Sequence, residues 1–222
     1  QRRIHAAIPE VRIVVTLRDP VERAHSNWTH LWSAGLEPID DLVRACEAEP
    51  KRIADGWSHF WHYVGLGRYG EQLERLFALF PREQVLIFRY RDLIDRPAAT
   101  LDRVCAFLGV REGLITEVPR ANVTAHPDPS ARHRVLSLLR RRLPAALGDP
   151  VEAMLQRRGA ARRPLSWEQR RQLIPYFADD IRLLEQVTGE DYSDWLQPRQ
   201  RSGGLVGARP PGHRQARNGR PA

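Results

Sequence analysis

Lysine is almost missing from this chain. Lys51 is the only one among 35 basic side chains, so nearly all of the positive charge is arginine. That habit reads as the codon bias of a GC-rich genome and not as an adaptation to nucleic acid. Cysteine is scarce as well. Cys46 and Cys105 are too few for a disulfide framework, and no Cys-x-x-Cys pair is present to hold zinc. No apolar run approaches the roughly 18 residues that a membrane span needs. The opening residues Gln1-Arg2-Arg3-Ile4-His5 lead into a helical pattern and not into a secretory leader. These absences favour a reducing, cytoplasmic setting. Methionine occurs once, at Met154, and the chain starts on Gln1, which sets the expectation of a fragment whose front end lies elsewhere.

What is present suits one medium domain with a tail. The 222 residues are 42% hydrophobic, enough for a core. The net charge is +8, and much of it sits in residues 198–222, where Arg199, Arg201, Arg209, Arg214, Arg217 and Arg220 occur with no acid. That segment is rich in Gly, Pro and Gln and reads as a disordered basic tail, either a solubilising extension or a weak, salt-dependent attraction to polyanions. Residues 1–197 lack the interleaving of aromatic and basic residues that marks a single-strand nucleic-acid groove.

The apolar pattern gives alternating helices and strands. Ile13 to Leu17 reads as a strand buried on both faces, and Gln84 to Phe88 as a second. Asp19 and Pro20 predict an N-cap and first turn for a helix running to about Ser33. Pro38 to Glu49 reads as another helix, Trp57 to Tyr63 as an aromatic patch, and Glu71 to Phe80 as an amphipathic helix. Pro97 opens a helix with Leu101, Val104, Cys105 and Leu108 on one face, closed by Gly109. Val110 to Pro129 reads as loop, Val135 to Leu147 and Val151 to Arg157 as short helices, and Gly159 to Pro164 as a basic connection. Ser166 with Gln169 predicts a capping box for a long helix that Pro175 kinks and Gly189 ends. The fold class is α/β, a parallel sheet flanked by helices. Two strands are too few for such a sheet, which again points to strands upstream.

The stretch richest in chemistry is Arg18-Asp19-Pro20-Val21-Glu22-Arg23-Ala24-His25-Ser26-Asn27-Trp28. Arg18 stands at the carboxyl end of a strand, the edge where open α/β sheets bind ligands. Its planar fork matches phosphate oxygens, and Ser26 in the following helix can add a hydroxyl donor to the same anion. On these two residues alone, an ordinary pairing of Arg18 with a carboxylate is an equal reading. Gly65-Leu66-Gly67-Arg68-Tyr69-Gly70 spells the dinucleotide pattern GxGxxG, but no β-branched strand precedes it, so the glycines more simply open a helix. His59 and His62 are spaced for a helix face but lack a third ligand for zinc. With Trp57, Trp61 and Tyr63 they could instead line an acceptor pocket, or pack as core. Cys46 and Cys105 read as inert core thiols.

The segment Arg-Asp-Pro-x-x-Arg-x-x-Ser-x-aromatic after a hydrophobic strand resembles the 3′-phosphate-binding segment of sulfotransferases that use 3′-phosphoadenosine 5′-phosphosulfate (PAPS). The resemblance continues in order through Gly67-Arg68-Tyr69-Gly70-Glu71-Gln72-Leu73, Phe80-Pro81, Asp92-Leu93, Pro97 and Phe107-Leu108-Gly109. It closes with Arg163-Pro164-Leu165-Ser166 and with Leu184 and Thr188-Gly189-Glu190-Asp191-Tyr192-Ser193-Asp194-Trp195, so it covers roughly residues 1–197. It implies a P-loop-NTPase-like sulfotransferase fold lacking its first strand and phosphosulfate loop. It also implies PAPS as co-substrate without a metal, and a carbohydrate or small-metabolite acceptor carrying a hydroxyl or amine. Arg18 and Ser26 match the pair that binds the 3′-phosphate, whereas Asp19 and Arg23 would shape the turn and pair locally. Arg162 and Arg163 fall where relatives carry a second anion-binding loop, often Lys-Gly-Arg; Gly159-Ala160-Ala161-Arg162-Arg163 departs from it. Arg91 stands where many relatives have an acid.

The family's phosphosulfate loop, with its lysine and Ser/Thr, has no counterpart in this sequence, and its general base lies upstream of the Arg-Asp-Pro segment. The stretch thus supplies half of a donor site and is expected to be inactive alone. A P-loop-like nucleotide kinase and a non-catalytic helical interaction protein are the alternative readings.

Overall fold

The computed structural model describes residues 1–115 and 164–198, together with the backbone of 126–127 and 159–160. Helix α1 (Arg2–Ala7) precedes strand β1 (Ile13–Leu17), and helix α2 (Pro20–Ser33) follows at once. Then come α3 (Leu42–Glu47), α4 (Glu49–Ala54), two 3₁₀ turns, α5 (Tyr69–Phe77), strand β2 (Val85–Arg89), α6 (Tyr90–Asp95) and α7 (Pro97–Leu108). Strand β3 (His126–Pro127) pairs antiparallel with β4 (Gly159–Ala160), and α8 (Trp167–Leu173), α9 (Ala178–Thr188) and a closing 3₁₀ turn (Ser193–Leu196) follow.

β1 and β2 are parallel, in register from Ile13 opposite Val85 to Leu17 opposite Arg89. Parallel pairing with a helical crossover is the α/β arrangement expected of the apolar pattern. It brings both carboxyl ends to one edge, where Arg18 and Tyr90 emerge. β1 is not buried on both faces, as its β-branched run suggested. Val14 and Thr16 are exposed while Leu17 is buried, the alternation of a strand with its core on one side.

The core is one cluster joining Leu17, Val21 and Trp28 of the β1–α2 unit to Leu73 and Leu76 of α5 and to Leu173, Phe177, Ile181 and Leu184 of the closing helices. Each such buried side chain contributes about 1.5–3 kcal/mol relative to exposure. The C-terminal helices are thus part of the same body as the strands.

Local chemistry explains where the observed elements depart from the sequence pattern. Residues 38–49 are not one helix, because Glu37 Oε1 accepts the Ile39 N–H at 2.8 Å and holds a turn. Asp41 then caps α3 through the Arg44 N–H at 2.9 Å, and Pro50 sits in the first turn of a separate α4. The Ser166–Gln169 capping box is present, but Pro175 breaks the helix outright at a 3₁₀ turn over Ile174–Tyr176. Tyr90–Asp95 forms a short helix that the pattern did not announce, and His126–Pro127 pairs as strand inside a stretch expected to be loop. The helices expected at 135–147 and 151–157 and the tail expected at 198–222 lie outside the described residues, apart from Pro198. Among the described residues no helix is long and apolar enough to cross a membrane.

Gly67 and Gly70 serve close packing and not a dinucleotide. A Cβ on Gly67 would come within 2.7 Å of the Phe177 ring, and one on Gly70 within 2.5 Å of the Asp180 carbonyl oxygen. The N-terminus of α5, where a pyrophosphate would sit, is already occupied: Asp180 accepts the N–H groups of Gly70 and Glu71 at 2.9 and 3.0 Å. Gly70→Ala forces a methyl against α9 backbone that cannot give way. It is expected to destabilise the fold by about 1–3 kcal/mol, read as a lowered midpoint in a urea titration.

Candidate functional site

The first turn of α2 follows directly from the strand end. Asp19 Oδ1 accepts the N–H groups of Val21 and Glu22 at 3.0 and 3.1 Å, closing the turn that Pro20 begins. Arg18, one residue earlier, therefore leaves the sheet at a fixed point. Its Nε reaches Glu22 Oε2 at 3.4 Å and its guanidinium lies over the Tyr90 ring at 5.5 Å from the centroid. Neither Nη group of Arg18 has a hydrogen-bond partner among the described residues.

Arg18, Glu22 and Ser26 are spaced by four, so Glu22 and Ser26 lie on one ridge of α2 and Arg18 leads into it. Ser26 is half-exposed on α2, and the contact seen for the Arg18 guanidinium along this stretch is with Glu22. The Arg18–Glu22 pair is long, with side chains 28% and 40% exposed. At about 0.3–0.5 kcal/mol such a pair is a weak competitor for an incoming anion. Arg162 and Arg163 lie outside the described residues.

Asp19 shapes the turn as expected, but neither it nor Arg23 pairs only locally. The remaining oxygen of Asp19, Oδ2, accepts Arg170 Nη2 at 2.6 Å. Arg23 donates to Asn27 Oδ1 at 3.3 Å and to the Tyr63 carbonyl. Burial, reinforced by the neighbouring Arg18, holds the Arg23 guanidinium below its ordinary pKa despite Tyr69 and Glu49 nearby. Burial also pushes the Tyr69 phenol up to about 12, so the hydroxyl stays protonated beside these cations.

The segment after α4 is tied to the same helix. Asn27 Nδ2 donates to the Phe60 carbonyl at 3.3 Å, one residue from Ser26. Phe60 is 57% exposed with His59 stacked on it at 4.7 Å, and Trp57 meets Trp61 edge to face. Tyr63, by contrast, is fully buried. Its hydroxyl donates to Glu37 Oε2 at 2.6 Å, and Arg52 grips the same carboxylate with two bonds of 2.7 and 2.8 Å. Glu49 accepts the N–H groups of Val64 and Gly65 at 2.6 and 2.8 Å. These buried carboxylates fasten the loop and are fully used in doing so. His25 is buried, with its ring beside that of Trp28.

Burial pushes the Cys46 thiol up to about 12, which makes it an inert core group as expected. Cys105 is only half-buried and is not a core thiol; Leu101, Val104 and Leu108, expected on the same face of α7, are not fully buried either. Among the described residues no three His, Cys, Asp or Glu side chains are grouped to hold a metal.

Glu22, Tyr90 and Arg170 were missed from sequence. The fourfold spacing of Arg18, Glu22 and Ser26 could have exposed the first; nothing local announces the other two.

Residues 2–112 match the model of the sulfotransferase family. Heparan sulfate glucosamine 3-O-sulfotransferase 6 of Homo sapiens is 31% identical over 112 residues, covering 50% of this chain and 31% of that protein. Carbohydrate sulfotransferase 15 of Mus musculus is 27% identical over 158 residues, covering 57% of this chain and 26% of its own length. A crystal structure of a sulfotransferase from Alicyclobacillus acidocaldarius superposes with a TM-score of 0.63 at 24% identity, over 88% of this chain and 62% of that one. The chain spans less than a third of these curated relatives.

Proposed function

The chain belongs to the sulfotransferase family, and on that premise we propose that residues 1–197 are part of an enzyme moving a sulfuryl group from PAPS to a hydroxyl or amine of a carbohydrate or small metabolite. Residues 198–222 are then a solubilising basic extension. The observation that carries the reading is Arg18, a guanidinium at the carboxyl edge of a parallel sheet with both Nη groups uncommitted among the described residues. That fork suits the 3′-phosphate of the nucleotide, and Ser26 on the same ridge adds a hydroxyl donor. We assign Arg162 and Arg163 to the same anion. The support is that β4, ending two residues before Arg162, pairs with β3, and β3 runs beside α2.

In sulfuryl transfer the acceptor oxygen or nitrogen bonds to sulfur as the bond from sulfur to the 5′-phosphate oxygen breaks. The acceptor proton goes to a base, and charge grows on the departing adenosine 3′,5′-bisphosphate. Lys51 does not serve that charge: it lies on α4, 80% exposed and paired with Asp55 at 2.8 Å. This chain's share is to hold and orient the nucleotide. The partly exposed rings of Phe60 and Trp57, on a loop that Asn27 fixes beside Ser26, favour a sugar as acceptor, since aromatic rings suit its C–H face. The relatives named for heparan sulfate and carbohydrate lend the same support.

The 222-residue chain should bind adenosine 3′,5′-bisphosphate more tightly than 5′-AMP in a calorimetric titration. Arg18→Ala should cost about 1.5–3 kcal/mol of that preference, the scale of a hydrogen bond to a charged group. Equal affinity for the two nucleotides removes the reading. Glu22→Gln, by deleting the competing carboxylate, should tighten the bisphosphate about twofold. Incubated with PAPS and a sugar acceptor, the chain alone should transfer no sulfate; product formation would refute the half-site assignment.

A further inference from the structure

Resting on the nucleotide clamp assigned above, we propose that Arg170 is a positioning residue for that clamp. From α8 it holds the Asp19 carboxylate, and through it the turn from which Arg18 and Ser26 reach the phosphate.

Asp19 is the peptide neighbour of Arg18, so its backbone orientation decides where the Arg18 side chain departs. That orientation depends on a carboxylate with two duties. Oδ1 accepts the first two free N–H groups of α2, and Oδ2 accepts Arg170 Nη2 at 2.6 Å. A cap needs only one oxygen. The second oxygen is committed to a guanidinium 151 residues away, in a pair where Arg170 is 4% exposed.

Arg170 is itself held from the far side. Its Nε donates to the Gln197 carbonyl at 2.8 Å and its Nη2 also donates to the Trp195 carbonyl at 3.0 Å. Trp195 in turn packs on Tyr192 and on the edge of Tyr69, and Arg89, from the end of β2, lies over its ring and holds Asp194 at 2.8 Å. Both strand ends of the sheet are therefore referenced to the same closing turn. Arg170 Nη1 is buried with no partner among the described residues. Burying a donor without an acceptor costs stability, so this guanidinium is not the best choice for stability alone. Its geometry serves Asp19.

The test is a selectivity ratio: affinity for adenosine 3′,5′-bisphosphate over affinity for 5′-AMP, measured on the full 222-residue chain beside a thermal melt. Arg170→Gln should lower the ratio about tenfold, the scale on which members of one hydrogen-bonded network couple, through loss of bisphosphate affinity with 5′-AMP affinity unchanged. Arg170→Lys should recover part of it, because an ammonium still reaches the carboxylate. If Arg170→Gln fails to fold, the double variant Asp19→Asn/Arg170→Gln carries the test, since Asn keeps the cap and no unpaired charge remains; its ratio should fall similarly. A ratio kept at the wild-type value in a folded variant, whatever happens to the melting temperature, overturns the proposal while leaving the clamp intact. A wild-type ratio of one overturns the clamp reading and this proposal together.

Discussion

One oxygen of Asp19 closes the first turn of α2 and the other is held by the buried guanidinium of Arg170. Placing two opposite charges out of water is favourable only when their other hydrogen-bonding capacity is met, and breaking one side of such a pair costs about 3–5 kcal/mol. Here the carboxylate accepts two backbone N–H groups and the guanidinium donates to two backbone carbonyls, which leaves only its Nη1 without a partner among the described residues. The pair thus joins a strand end to the chain's closing turn and sets the helix on which the candidate site is built.

The same solution recurs around the sheet. Arg89 holds Asp194 and the Asp191 carbonyl, and Arg82 donates to the Val187 and Thr188 carbonyls at the end of α9. Asp180 of α9 caps α5, and Arg52 and Tyr63 share Glu37. Most of these partners are backbone groups at helix ends, which would otherwise be left without hydrogen bonds. A guanidinium can satisfy two carbonyls at once, so a chain nearly devoid of lysine is well supplied for this task. The Nη groups of Arg18, at the end of β1, face no such carbonyl among the described residues.

Features governed by near neighbours were legible in the sequence. The cap at Asp19, the Ser166–Gln169 box, the left-handed Gly109 and Gly189 that end α7 and α9, and the two strands all depend on residues within a turn of one another. The α/β class and the position of Arg18 at a strand end followed from these. Features set by distant partners were not legible. Asp180 lies 110 residues from the helix it caps, and Gly70 is needed because α9 passes close by, which no local pattern encodes. The exposure of Val14 and Thr16 escaped for the same reason: a β-branched run shows strand propensity and not which of its faces will be covered.

The 151 residues between Asp19 and Arg170 also impose an order in time. At about 5–20 residues per second of synthesis, α8 follows the strand end by roughly 8–30 seconds. During that interval α2 can be capped but not anchored, and the ridge bearing Arg18 and Ser26 has no reference to the closing turn. The tie between the first turn of α2 and the turn that holds Arg170 therefore forms only after Gln197 has been added to the growing chain.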